Sequence, residues 1–123
     1  MDVLLAGCGW LGREVARRLL ARGDRVTALT RTMESASHLR DRGIPALALD
    51  LASPGAFRSI PGRFDGIVAM QSASGPGTAA YRRAYIEATR AVLESEGAAG
   101  AAFVYVSSTG VFGQTGGEWV DEA

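Results

Sequence analysis

Three groups of residues have types and spacings that could do chemistry. The first is Gly7, Gly9 and Gly12, at G-x-G-x-x-G spacing directly behind the apolar run Asp2–Ala6. Such a turn suits a pyrophosphate. Gly7 permits the tight turn, Gly9 leaves the backbone open to the diphosphate, and Gly12 lets the following helix pack closely. Trp10 and Leu11 fall at the start of that helix, where unpaired N–H groups and a partial positive charge would face the anion. The second group comprises Arg31, Asp50-Leu51 and Gln71-Ser72, each at the end of a later apolar run. The third is Ser107-Ser108-Thr109, which follows Ala101–Val106. A hydroxyl there can donate to a substrate carbonyl or alkoxide. Alone it transfers protons poorly at neutral pH, and no tuned acid–base neighbour is evident.

A site for NAD wants a carboxylate roughly twenty residues past the glycines to hold the ribose hydroxyls. That place reads Leu29-Thr30-Arg31-Thr32 and has no acid. An arginine fork suits a 2′-phosphate, so the sequence favours NADP over NAD. The other reading of Arg31 is a solvated strand end. Asp50 has two readings of equal weight. Its carboxylate accepts from an adenine amino group while Leu51 covers the ring, or it caps the crossover that follows. Gln71, Ser72 and Ala73 are small or polar and let the chain pass close to the nicotinamide-side ribose. The lone cysteine, Cys8, reads as a small side chain beside the strand end, and one cysteine allows neither an internal disulfide nor a thiolate metal set. His38 reads as a solvated surface histidine.

These residues need a frame. The 123 residues allow one domain with one core. Thirteen basic and thirteen acidic residues cancel, so neither nucleic acid nor anionic lipid is a partner expected from charge. No apolar run is long enough to span a bilayer, and Met1–Ala6 has no basic lead of a secretory signal. A cytoplasmic protein is expected. Helical patterns are predicted over Leu11–Ala21, Thr32–Arg42 and Thr78–Glu96. The last of these should bury Tyr81, Tyr85, Ala88, Val92 and Leu93. Strands are predicted over Asp2–Ala6, Arg25–Thr30, Ile44–Leu51, Asp65–Ala69 and Ala101–Val106. Ser53–Phe64, with two prolines and two glycines, is at best a short helical turn. Five strands alternating with crossovers give an α/β fold, a doubly wound parallel sheet in the order 3-2-1-4-5 between two helical layers. Residues 107–123 read as an active-site loop segment of this single dinucleotide-binding domain.

The combination of Gly7-Cys8-Gly9-Trp10-Leu11-Gly12, Asp50-Leu51 and Tyr105-Val106-Ser107-Ser108-Thr109-Gly110-Val111-Phe112-Gly113 resembles the N-terminal part of an extended short-chain dehydrogenase/reductase. This is the NAD(P)-dependent epimerase/dehydratase family. The resemblance covers essentially the whole chain. It implies a Rossmann domain that carries the cofactor, followed by a smaller substrate domain. It also implies that Ser108 is the catalytic hydroxyl and that Asp50 and Leu51 contact adenine. The serine's partners in that family are a tyrosine and a lysine in a Tyr-x-x-x-Lys unit further along.

The chain departs from the family pattern there. It ends fifteen residues after Ser108, and all thirteen of its basic residues are arginines. Tyr81 and Tyr85 precede the fifth strand and cannot serve as the missing base. A second departure is Tyr85-Ile86-Glu87-Ala88-Thr89, where many relatives have an asparagine and a glycine. The expectation is therefore the cofactor-binding part of a longer oxidoreductase, epimerase or dehydratase acting on a small-molecule substrate, inactive by itself. The alternative is a non-catalytic dinucleotide sensor. A ligand-gating domain of a transport system is disfavoured by Arg31 and by the Ser-Ser-Thr loop. The bare edge beside the fifth strand predicts self-association, with a homodimer its simplest form.

Overall fold

The computed structural model describes residues 1–107 and 113–121. The five strands are β1 (Asp2–Ala6), β2 (Arg25–Thr30), β3 (Ala46–Ala48), β4 (Gly66–Ala69) and β5 (Ala102–Tyr105). All pairings are parallel and the order is β3-β2-β1-β4-β5, as the sequence predicts. The register runs Val3 against Val26 on one side of β1 and against Gly66 on the other.

Alternation along β1 divides the core in two, because successive side chains of a strand point to opposite faces. Val3 and Leu5 join Val26, Ala28, Leu39 and Ile44 in one cluster. Leu4 and Ala6 join Leu29, Leu51, Ile67 and Val92 in the other. The first cluster lies under α1 (Trp10–Ala21) and α2 (Met33–Arg40). Within α1 the most deeply buried residues are Gly12 and Ala16, with Val15, Leu19 and Leu20 packed against the cluster. Thr32 caps α2 by accepting from the Ser35 N–H at 3.2 Å. That contact satisfies one of the otherwise unpaired amides of the first turn.

Two elements differ from expectation. The strand predicted over Ile44–Leu51 contracts to Ala46–Ala48. Pro45 lacks a donor on one side of it. On the other, the Asp50 carboxylate accepts from the Ala52 N–H at 3.0 Å, a local turn that competes with the ladder. The helix predicted over Thr78–Glu96 forms as three consecutive pieces. These are α3 (Thr78–Tyr81), a π-helical stretch (Arg82–Glu87) and α4 (Ala88–Leu93). A π-turn takes up an additional residue per hydrogen-bonded ring and shifts the helix phase. Ala88, Ala91 and Val92 are therefore buried, whereas Tyr81 and Leu93 are exposed. Tyr81 and Tyr85 contact each other through tilted rings 5.4 Å apart. Among the described residues, no helix is long and apolar enough to cross a membrane.

Candidate functional site: a cleft at the carboxyl ends of the strands

The crossover from β1 to α1 and the chain leaving β4 meet at the carboxyl end of the sheet. Gly7 makes the turn with φ of +83°, a conformation open to glycine at little cost. Its position is tight as well. A Cβ there would lie 2.6 Å from the Gln71 Cα and amide nitrogen, and 2.9 Å from the Met70 carbonyl carbon. The Gly7 N–H donates to the Leu29 carbonyl at 3.1 Å, which ties the turn to β2. Gly12 is constrained from the other side, since a Cβ would lie 3.1 Å from the Gly7 carbonyl oxygen and 3.2 Å from Cys8 Sγ. The close approach that glycine permits here is of helix to turn. Gly9 is the opposite case. A Cβ built on it meets nothing within 4 Å.

That open side of Gly9 gives onto a cleft of about 530 Å³. Its floor is Gly7, Cys8 and Gly9. One wall carries Thr30, Arg31, Thr32 and Ser35 from the β2–α2 junction, with Asp50 and Leu51 beyond β3. The other wall carries Gln71, Ser72 and Ser74 after β4, with Arg83, Ala84 and Ala88 from the helical run. The cleft thus brings Gly7, Gly9, Arg31, Asp50, Leu51, Gln71 and Ser72 together. Trp10, Leu11 and Gly12 stand behind it. Trp10 and Leu11 are 80% and 41% exposed. The first intrahelical bond of α1 runs from the Arg13 N–H to the Gly9 carbonyl. The preceding amides have no partner within the helix. Gly9 offers no side-chain cap and the first turn has no acidic residue, so this end of α1 is free to meet an anion.

Polar bonds cross the cleft or line it. Arg31 donates through Nη1 to Ser74 Oγ on the opposite wall. Arg83 donates through Nη2 to Asp50 Oδ2 at 2.9 Å. The Gln71 side-chain N–H donates to Thr89 Oγ1 at 3.0 Å, and its Oε1 is buried with no hydrogen-bond partner among the described residues. Burial pushes the Cys8 thiol up, against a smaller opposing effect of the Arg13 charge, so the cleft floor carries a neutral thiol. Ser107 is exposed at the end of β5, whereas Ser108 and Thr109 lie outside the described residues.

Ser35, Ser74 and Arg83 line the cleft, and Thr89 bonds Gln71 beside it; none of the four was legible in the sequence as a site residue. The Thr32-to-Ser35 cap spacing is the one local signal among them. The other three take their places through tertiary structure.

The model of the NAD dependent epimerase/dehydratase family matches residues 3–122. Among solved structures, the chain is similar to a protein described as an NAD-dependent epimerase/dehydratase from Bacillus halodurans. Identity is 27% with a TM-score of 0.67, covering 89% of this chain and 52% of that one. It is also similar to an oxidoreductase of the short chain dehydrogenase/reductase family from Burkholderia thailandensis. There the identity is 26% and the TM-score 0.72, covering 92% of this chain and 54% of the other. A short-chain dehydrogenase/reductase superfamily protein from Agrobacterium tumefaciens, solved with bound NAD, shares the fold. It is 21% identical with a TM-score of 0.69, covering 88% of this chain and 33% of that one. The chain therefore spans about half the length of the first two. No curated protein sequence matches it.

Proposed function

Because the chain belongs to the NAD-dependent epimerase/dehydratase family, we propose that it is the cofactor-binding part of an NAD(P)-dependent oxidoreductase, epimerase or dehydratase. The observation that carries this reading is the pairing at the cleft floor. Gly7 is locked against the backbone of Gln71, while Gly9 faces open space beside the uncapped end of α1. A structural glycine turn has no need of the second feature. A diphosphate needs both the room and the unpaired amides.

The residues present fit a dinucleotide laid along the cleft. Gly9 and the backbones of Trp10, Leu11 and Gly12 would hold the pyrophosphate. Asp50 and Leu51 would take the adenine end, and Gln71 and Ser72 the nicotinamide-side ribose. The buried Gln71 Oε1, without a partner among the described residues, is an acceptor that a ribose hydroxyl would suit. Arg31 keeps four of its five N–H donors after bonding Ser74, enough for a bidentate grip on a 2′-phosphate. The capped N-terminus of α2 behind Thr32 adds a favourable dipole. NADP is thus the favoured cofactor over NAD.

When bound, the nicotinamide supplies hydride exchange with a substrate carbon. Ser108 would orient the reacting oxygen of a small substrate, with sugar nucleotides the class that the family resemblance suggests. Proton transfer requires an acid–base partner, and a lysine to tune it is not among these 123 residues.

Calorimetric titration with NADPH and NADH tests the proposal. NADPH should bind about tenfold tighter, the scale of one charge-assisted hydrogen-bonded pair. Arg31→Ser should abolish that preference while leaving NADH binding in place. Equal affinities in the unaltered chain would remove the 2′-phosphate role of Arg31. Binding of neither dinucleotide would overturn the cofactor reading altogether.

A further inference from the structure

We propose that Arg83 is a positioning residue for adenine recognition, holding the Asp50 carboxylate in the orientation that reads the adenine amino group. The inference rests on the cofactor reading above and goes beyond it to a residue on the opposite wall of the cleft.

Asp50 lies two residues beyond the end of β3, where no ladder bond fixes its side chain. Two hydrogen bonds fix it instead. Oδ1 accepts from the Ala52 N–H at 3.0 Å, and Oδ2 accepts from Arg83 Nη2 at 2.9 Å. The first bond is local and leaves the carboxylate free to tilt about that contact. The second comes from the far side of the cleft and removes this freedom. A carboxylate has about four lone-pair sites, so roughly two remain for an outside donor. Leu51, Arg83 and Ala84 line the cleft together with Asp50, and their carbon atoms would give a planar ring apolar surface beside a fixed acceptor.

A role in stability alone does not account for the pair. The Arg83 and Asp50 side chains are 52% and 33% exposed, and ion pairs at such exposure add little to folding. The backbone that presents Arg83 is also irregular. It belongs to the π-helical stretch Arg82–Glu87, and π-turns in helices frequently mark functional positions. Fixing the direction of an acceptor is what remains for this contact to do.

The test compares binding of NADPH with that of its hypoxanthine analogue, in which a carbonyl oxygen replaces the adenine amino group. Unaltered protein should prefer the adenine form about tenfold, the scale of one hydrogen bond to a charged acceptor. Arg83→Gln should reduce the preference to about twofold, the larger loss falling on the adenine form. Asp50→Asn should do the same, and the double variant should lose nothing further, because the two act as one unit. Arg83→Lys retains the charge and should recover part of the preference, which also covers the case in which Arg83→Gln does not fold. A tenfold preference surviving in Arg83→Gln would overturn the proposal while leaving dinucleotide binding intact. Equal binding of both forms by unaltered protein would overturn it too, since Asp50 would then not read the amine. Binding of neither form would take down the cofactor reading and this inference together.

Discussion

Replacing Gly7 and Gly9 one at a time by alanine separates folding from binding within a single turn. At Gly7 the new Cβ enters a left-handed backbone, which costs about 1–2 kcal/mol. It also lands 2.6 Å from backbone atoms of Gln71. Those atoms cannot rotate aside, because the strand leading into them is pinned between β1 and β5. Overpacking of this kind adds about 1–3 kcal/mol. Gly7→Ala should therefore lose about 2–5 kcal/mol, a large share of the roughly 5–15 kcal/mol that holds a typical domain. At Gly9 no heavy atom lies within 4 Å of the added carbon, and φ is −80°. Gly9→Ala should cost no more than about 1 kcal/mol. Its methyl group instead fills the space assigned to the pyrophosphate, so NADPH affinity should fall at least about tenfold. Urea unfolding measures the first quantity and calorimetric titration the second. A Gly7→Ala protein as stable as the parent, or a Gly9→Ala protein with undiminished affinity, would refute the reasoning.

Three further outcomes are expected. Leu4→Ala empties a fully buried position between Leu29, Ile67 and Val92, and should lower unfolding stability by about 2–5 kcal/mol in urea titration. Glu14 accepts from both Arg17 and Arg18, and these contacts hold its carboxyl down at about 2, against 4.5 unperturbed. A carboxyl depressed on folding stabilises fully above 4.5 and loses that contribution as pH falls to about 2. The melting-temperature gap between parent and Glu14→Gln should therefore close over that interval; a gap constant with pH would contradict it. On β5, which is a sheet edge, Phe103, Val104 and Tyr105 are all exposed. The 123-residue chain should self-associate in sedimentation experiments and Val104→Lys should suppress this, whereas a monodisperse parent would contradict the expectation.

Strand order and the glycine turn were legible because each rests on local signals that agree. Apolar runs of strand length, a glycine fingerprint and alternating helical patterns all specify the same parallel sheet. The length of β3 was not. Ile44–Leu51 is uniformly apolar apart from Pro45 and Asp50, and the decisive event is a side-chain turn from Asp50 to Ala52. The exposure of Tyr81 and Leu93 was hidden for a different reason. Reading their burial assumed one helical phase from Thr78 onward, and the π-stretch over Arg82–Glu87 breaks it. Arg83 joins the cleft by the same route, since in sequence it is one of two adjacent arginines that nothing local tells apart. Arg31 was identifiable because its chain position after β2 is itself informative. Ser74 and Thr89 acquire a role only when a partner far along the chain arrives, at Arg31 and Gln71 respectively.

The central place of β1 in the sheet imposes an order on how the molecule assembles. Its pairing with β2 joins residues 23 apart, Asp2 with Arg25, whereas its pairing with β4 joins Val3 with Gly66. The longer closure carries about 0.9 kcal/mol more loop entropy, so the β1–β2 half has the cheaper nucleus. Substitutions in β1 and β2 should then slow folding, and those in β4 should mainly speed unfolding; the reverse pattern in stopped-flow kinetics would exclude this order. The cleft needs both halves, because its floor is Gly7 pressed against Gln71. The site for the ligand is thus among the last things the chain makes, and a ligand that binds it would stabilise the final step of folding more than the first.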